Sequence, residues 1–475
     1  MDSPHWTALL SGWRDAPGTL PSRLALKLRT HIQAGRLSSD DPLPAERALS
    51  ALLGVSRSVV VTTYDDLAAG GWITRRRGSG TRVAATAPRR QGVLTLRTPL
   101  NQTPTPDREL DFTHAVPYLT PAHRQELVAA ARDAFQESLY HPLGLPDLRA
   151  LLADTYRAEG LPTRPEQVFI TTGAQQAISL TAGTLLQRGD AALMETPTYF
   201  GAIDVFRAAG ASLVGVPVGP HGVRHEDFLT AARTHHPRLA FLTPTFQNPT
   251  GTVMPARTRQ LIAAHAHDTA LPVIEDDTLI DLDFGDGDGR HVVPPRLATY
   301  APDAPIVNVG SLSKLYWAGL RVGWMRVPDL LHGPLMQAKT LTDFGGSLPA
   351  QHIALRLLQD LPRLRRERRE HVTHARDLLA HLLRTHLPGW SFDLPDGGQF
   401  LWVRLPTEHA SHFTHHAARH GLRLFPGASM GVQTLPDHYL RLPFTVDPAR
   451  LPDAVARLQA AWASFQMREG GERLA

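Results

Sequence analysis

A chain of 475 residues, 42% apolar and 20% charged, has room for two or three domains with buried cores. It contains no cysteine, which excludes disulfides and thiolate metal sites, and no metal site is expected. The net charge is +4, but residues 1–90 carry thirteen Arg/Lys against seven Asp/Glu, which suggests a polyanion-binding module on a near-neutral body.

The start, Met1 to Trp6, is acidic and lacks an apolar core, and no apolar run reaches the ~18 residues of a membrane span. A cytoplasmic protein with no secretory signal and no membrane partner is expected. Residues 15–84 read as a first domain. Leu24, Leu28 and Ile32 recur at helical spacing within 22–34, up to Gly35. Two short helical stretches follow, Ala45–Leu53 and Ser56–Ala69, separated by Gly54-Val55. Trp72–Arg75 and Thr81–Val83 then flank a tight Arg76-Arg77-Gly78-Ser79-Gly80, the pattern of a hairpin.

A glycine turn between two short helices is what a helix-turn-helix requires, with Ser56 as cap of the second helix. Arg57 and Ser58 then stand where bases or phosphates of a major groove are reached, and Arg47 where the DNA backbone passes. The hairpin residues Arg77, Gly78, Ser79 and Gly80 are placed for the minor groove. The blander alternative is a capped three-helix bundle with a solvated basic face. Leu43 to Arg47, Gly54 to Arg57 and Gly78 to Thr81 carry a resemblance to the winged-helix domain of GntR-type bacterial regulators, over about residues 20–84. One position departs: Val59 stands where that family often has Thr, so a hydroxyl contact to phosphate is expected to be missing or replaced by an apolar contact to a thymine methyl. Residues 85–109, rich in Pro, Thr and Arg and without periodicity, read as a semi-extended linker.

Over 110–470 short β-branched runs alternate with longer helical segments. The runs are Gln167–Thr171, Ala191–Met194, Ser212–Val218, Arg238–Leu242, Leu271–Ile274 and Pro305–Val309. The alternation predicts an α/β domain with a largely parallel sheet. The later part, from about 350 to 465, reads as a smaller α+β lobe with helices around Trp390–Leu394 and Phe400–Arg404. The run Arg363–Arg369 reads first as a solvated helix face, with a secondary DNA-backbone contact as the sharper alternative. The chain has three lysines, Lys27, Lys314 and Lys339, and Lys314 lies in Ser311-Leu312-Ser313-Lys314 with Arg321 seven residues on. An amine beside hydroxyls and a guanidinium is what pyridoxal phosphate needs, because its aldehyde takes an amine and its phosphate takes donors.

Together these motifs resemble fold-type I aminotransferases. The resemblance implies pyridoxal phosphate as cofactor, with Lys314 as the catalytic Schiff-base lysine and Asp276 facing the pyridine nitrogen. It implies that Asn248, in Asn248-Pro249-Thr250-Gly251, donates to the ring hydroxyl oxygen and that Tyr199 stacks on the ring. The phosphate falls to Gly173, Ala174 and Gln175 at a helix start, and to Ser311, Ser313 and Arg321. Arg441 would hold a substrate carboxylate, and Tyr140 would cross a dimer interface to a neighbour's phosphate. Taken singly, these residues have plainer roles: Asp276 a helix cap, Asn248 a turn, Tyr199 core, Arg441 a surface ion pair. Thr278 stands where many relatives have Tyr, which weakens support for bond-breaking but not for cofactor capture. The whole chain resembles the MocR/GabR family of bacterial regulators. That implies a head-to-tail homodimer on a double-stranded DNA operator, with pyridoxal phosphate or its adduct with an amino compound as effector. Two other readings stand beside it: a working aminotransferase with an appended DNA-binding domain, and a cofactor-independent dimeriser.

Overall fold

A computed structural model of the protein describes residues 6, 9–10, 12–15, 19–33, 37, 41–69, 71–76, 80–84, 109–117, 119–132, 139–285 and 293–472. The chain divides into two compact units, Met1–Thr95 and Leu96–Ala475.

In the first unit helices Leu20–Gln33, Glu46–Leu53 and Arg57–Ala69 pack around Leu24, Leu28, Leu49, Val60 and Leu67. Gly54 ends the second helix at φ 61°, ψ 42°, the left-handed region open to glycine at least cost, and Val55 N–H returns to Ser50 O. Strand Gly80–Val83 pairs antiparallel with both Ile73–Arg76 and Pro42–Leu43, so the expected hairpin gains a third, short strand. Tyr64 locks this corner, buried and donating its hydroxyl to Pro44 O at 2.8 Å. Arg77, Gly78, Ser79 and residues 85–108 of the expected linker lie outside the described residues.

The second unit is built on an eight-stranded sheet among the described residues. Its order is Val168–Thr171, Gly323–Arg326, Ile306–Ser311, Val273–Asp276, Leu239–Leu242, Ala191–Thr196, Ser212–Gly219 and Gly222–Val223. Gly323–Arg326 runs antiparallel to its neighbours, as does the short edge strand Gly222–Val223; the other pairings are parallel. The central strands are buried on both faces, hence their near-continuous apolar sequences. Val273–Asp276 and Ile306–Ser311 both end where a polar residue is needed, at Asp276 and Ser311.

A smaller lobe pairs Phe400–Arg404 with Tyr439–Pro443, and that strand with Phe425–Pro426, all antiparallel. Phe400–Arg404 is therefore a strand, not the expected helix, and no helix covers Trp390–Leu394, where Ser391 bridges to Arg404. The physical reason is that Phe400, Leu401 and Val403 are aromatic or branched side chains fully covered by neighbours, which a pleated strand accommodates better than a helix. The arginine run lies in helix Leu361–His386 and is solvated only in part: Arg366 and Arg369 are exposed, and the others are engaged or buried. Arg363 pairs with Glu126 and Glu367, Arg365 with Glu159 and Asp281, and Arg368 is buried. Among the described residues no helix is long and apolar enough to cross a membrane.

One close approach holds the sheet against the loop at Gly173. A Cβ on Gly323 would lie 2.7 Å from the Gly173 backbone and 2.8 Å from Gly310 O. Gly323→Ala is expected to cost about 1–3 kcal/mol of stability, read from the denaturant midpoint; an unchanged midpoint would contradict this packing.

Candidate functional site

Asp276 is the middle of three successive acids, and strand alternation separates their roles. Glu275 accepts from Leu297 N, Ala298 N and Asn308 Nδ2, while Asp277 accepts from Arg296 Nε at 2.9 Å and from Asn308 Nδ2 at 3.0 Å. Asp276 faces the other way, into a cavity of ≈ 400 Å³, where Thr278 N–H donates to it at 3.0 Å. Burial raises its pKa above the ordinary carboxylate range, against the pull of the Thr278 hydrogen bonds and of Lys314.

Lys314 enters the same cavity from a short helical turn that follows strand Ile306–Ser311, and its Nζ donates to Ala115 O at 2.8 Å. Burial first, then the charge of Arg441, pushes the amine down to about 8. The Ser311 hydroxyl accepts from Ser313 N–H, and Arg321 donates to Thr172 O at 2.6 Å. Gly173, at φ 108°, caps helix Ala174–Leu185; a Cβ there would stand 2.6 Å from Arg321 Nη2. Glycine thus lets a guanidinium and a helix N-terminus converge.

Tyr199 lies across the cavity, its hydroxyl donating to Gln175 Oε1 at 3.0 Å, and burial pushes its pKa up to about 12. Gly201 makes room for its ring, since a Cβ there would fall 2.5 Å from the ring carbon Cζ. Asn248 also lines the cavity. Arg441 is buried under Phe200, Phe400 and Phe425, at 5.5, 4.7 and 4.6 Å from their ring centres, and donates to Thr113 O. That setting replaces the plainer reading of a surface ion pair.

The structure therefore gathers Lys314, Asp276, Asn248, Tyr199, Ala174, Gln175, Ser311, Ser313, Arg321 and Arg441 around one cavity, with Gly173 at its edge. Tyr140 is not among them and stands 86% exposed. In the first unit Arg47, Ser56, Arg57, Ser58 and Gly80 are exposed, Arg57 is paired with Glu46 at 3.1 Å, and the Ser56 and Ser58 hydroxyls share a hydrogen bond.

Sequence reasoning missed the Thr113–Val116 segment, Gln399 and the three phenylalanines. Ala115 acts through its carbonyl, which no side-chain pattern announces. Gly397-Gly398 before Gln399 was the one available trace: a Cβ on Gly397 would lie 2.2 Å from the Phe246 ring. Three buried oxygens on the cavity wall, Asn248 Oδ1, Ser313 Oγ and Gln399 Oε1, have no hydrogen-bond partner. Buried polar atoms are rarely left so, and a polar ligand that offers donors to the two amide oxygens and an acceptor to the hydroxyl fits the set. The donors, the carboxylate and the amine suit pyridoxal phosphate.

Residues 112–458 match the family described as aminotransferase class I and II, and residues 20–83 match bacterial regulatory proteins, gntR family. The chain is 30% identical to the probable rhizopine catabolism regulatory protein MocR of Rhizobium meliloti, over 95% of this chain and 96% of that one. It is 31% identical to a 2-aminoadipate transaminase of Thermus thermophilus, covering 74% and 89%. It is also 31% identical to the HTH-type pyridoxine biosynthesis transcriptional regulator PdxR of Corynebacterium glutamicum, covering 70% of each. Among solved structures it resembles LysN, the α-aminoadipate aminotransferase of Thermus thermophilus complexed with N-(5'-phosphopyridoxyl)-L-leucine. There the TM-score is 0.69 at 27% identity, covering 77% of this chain and 96% of that one.

An amine must be unprotonated to attack an aldehyde, so the rate at which ligand-free protein captures pyridoxal phosphate should rise with pH through about 8 and then level off. Arg441→Met should move that midpoint upward by removing a neighbouring positive charge. A rate still climbing toward about 10, the range of an ordinary lysine, would contradict the buried setting.

Proposed function

The chain belongs to the MocR-type regulators, a GntR winged helix fused to an aminotransferase class I and II domain, and we propose that it regulates transcription by binding operator DNA under control of pyridoxal phosphate held at Lys314. The observation that supports this most is the convergence of Lys314, Asp276 and the Ser311–Ser313–Arg321 group on one cavity, in a chain whose second unit is joined to a winged helix with an exposed Arg57.

When bound, pyridoxal phosphate supplies an aldehyde and an electron-withdrawing ring. Lys314 presents the amine, and Asp276 places a carboxylate where a protonated ring nitrogen would restore its charge. Ser311, Ser313, Arg321 and the amides after Gly173 would hold the phosphate. Asn248 would offer its amide to the ring oxygen, and Tyr199 an aromatic face for the ring. Arg441, desolvated by three phenyl rings, has its Nε unpartnered and is set to receive the carboxylate of an amino compound.

Regulation needs a ligand that binds two states of the protein unequally. Either the cofactor itself or an amino compound bearing a carboxylate serves as the effector. Tyr140 and Leu139 stand 86% and 72% exposed, which supports a contact with a second copy in a head-to-tail homodimer. Two winged helices would then meet paired half-sites on duplex DNA in the cytoplasm. The likeness to a 2-aminoadipate transaminase supports a second reading, a working aminotransferase. Thr278, in place of a phenol, favours sensing over turnover.

The test is the visible spectrum of purified protein with pyridoxal phosphate and a panel of amino acids. A band that depends on Lys314 and shifts with one amine, without steady turnover of an amino donor and a keto acid, is the expected result. Arg441→Met should keep the band and lose the shift. Sustained turnover would favour the enzyme, and no band would sink the cofactor reading. Separately, Arg57→Ala should weaken DNA binding roughly tenfold or more and leave the band unchanged.

A further inference from the structure

A second cavity, of ≈ 490 Å³, adjoins the segment that carries Lys314. Helix Pro121–Ala131 and helix Leu361–His386 contribute to its wall, together with Leu315 and Tyr316, the two residues that follow the lysine. Its acids are already engaged. Glu126 pairs with Arg363 and accepts from the Tyr316 hydroxyl at 2.7 Å, and Glu367 accepts from Arg363 at 3.1 Å.

Arg368, on the same wall, is in a different position. It is 7% exposed, and neither its Nε nor its Nη2 has a hydrogen-bond partner. Burial alone governs its ionisation, pushing it down to about 10, and no acid offsets that effect. A buried guanidinium with no acceptor is costly, and such groups ordinarily find one. Nε–H and Nη2–H lie along one edge of the planar guanidinium and form the two-pronged donor that matches two oxygens of a carboxylate or phosphate. His123 and His371 line the same cavity. The His123 Nδ1 accepts from Thr120 N–H at 3.3 Å, so the neutral ring carries its proton on Nε2, as a further donor.

We propose that this cavity binds a small oxyanion, a carboxylate or a phosphate, on the Nε–Nη2 edge of Arg368, as an effector site separate from the cofactor cavity. Leu315 and Leu364 supply the apolar wall for the remainder of such a ligand. The position gives the site a route to function. The charge of Arg368 reaches Lys314 and adds to the influences that lower its pKa, so an anion on Arg368 would raise it. Tyr316, hydrogen-bonded to Glu126 and to His123 O, joins the cavity wall to the lysine segment.

The test is calorimetric titration of the full-length protein with inorganic phosphate and, separately, with acetate. The protein is first saturated with pyridoxal phosphate, and each titration is repeated in Arg441→Met, so that neither the donors around Arg321 nor Arg441 accounts for binding. Visible absorbance reports cofactor uptake independently; if uptake fails, the same titrations are run on Arg321→Met protein, so the two readings fail separately. Saturable binding of at least one probe is expected, weakened roughly tenfold or more in Arg368→Met. Phosphate alone would identify a phosphate site, and acetate alone a carboxylate site. Arg368→Met should melt no lower than the wild type, because it removes an uncompensated buried charge. Arg368→Lys, which keeps the charge and loses the fork, provides a second variant and should bind more weakly as well. A wild type that binds neither probe, or an Arg368→Met protein that binds as the wild type does, overturns the proposal. The former is what a second copy of the chain filling the cavity would give.

Discussion

Lys314 and Arg441, both buried, share a cavity with Arg321 and with two buried carboxylates, Asp276 and Asp204. Burial disfavours charge on Lys314, Arg441 and Asp276, and Arg441 lowers the amine further, to about 8. A cavity with this imbalance favours a ligand that brings negative charge at one end and an electrophile for the amine at the other. The sheet decides which acid takes part. Glu275, Asp276 and Asp277 are adjacent in sequence, but the pleat turns the outer two toward Asn308, Arg296 and the Leu297 and Ala298 amides. A register slip of one residue would exchange the partnered acids for the cavity acid.

Much of this was legible in the sequence where local chemistry dictates the outcome. The turn between the two helices of the first unit rests on Gly54, whose left-handed backbone is most readily adopted by glycine. The strands of the large sheet were marked by apolar, β-branched runs, and Asp276 and Ser311 each stand two residues beyond the end of such a run. What failed was settled by partners distant in sequence. Phe400–Arg404 can be drawn as a helix or as a strand until Tyr439–Pro443 is beside it. The arginine run, read as solvated, is so at Arg366 and Arg369, whereas Arg363 and Arg365 meet Glu126, Glu159 and Asp281, which lie far from them in the chain. The phenyl enclosure of Arg441 draws on residues 200, 400 and 425, and no spacing rule joins them.

In the proposed function the two units would supply different halves of a switch. The first offers exposed donors on a compact three-helix frame, and the second a cavity that gathers Lys314, Arg441 and Asp276. A ligand can shift DNA binding only by as much as its own affinity differs between two states of the protein, and the coupling is the same in either direction.

The most direct measurement is the affinity of the full-length protein for a DNA fragment that it selects from a random library. It is read by fluorescence anisotropy at fixed salt, with and without pyridoxal phosphate, in the wild type and in Lys314→Ala. The account predicts a change in Kd of roughly 5-fold or more in the wild type and none in Lys314→Ala. An affinity indifferent to the cofactor in the wild type, or a shift that survives loss of Lys314, would contradict it.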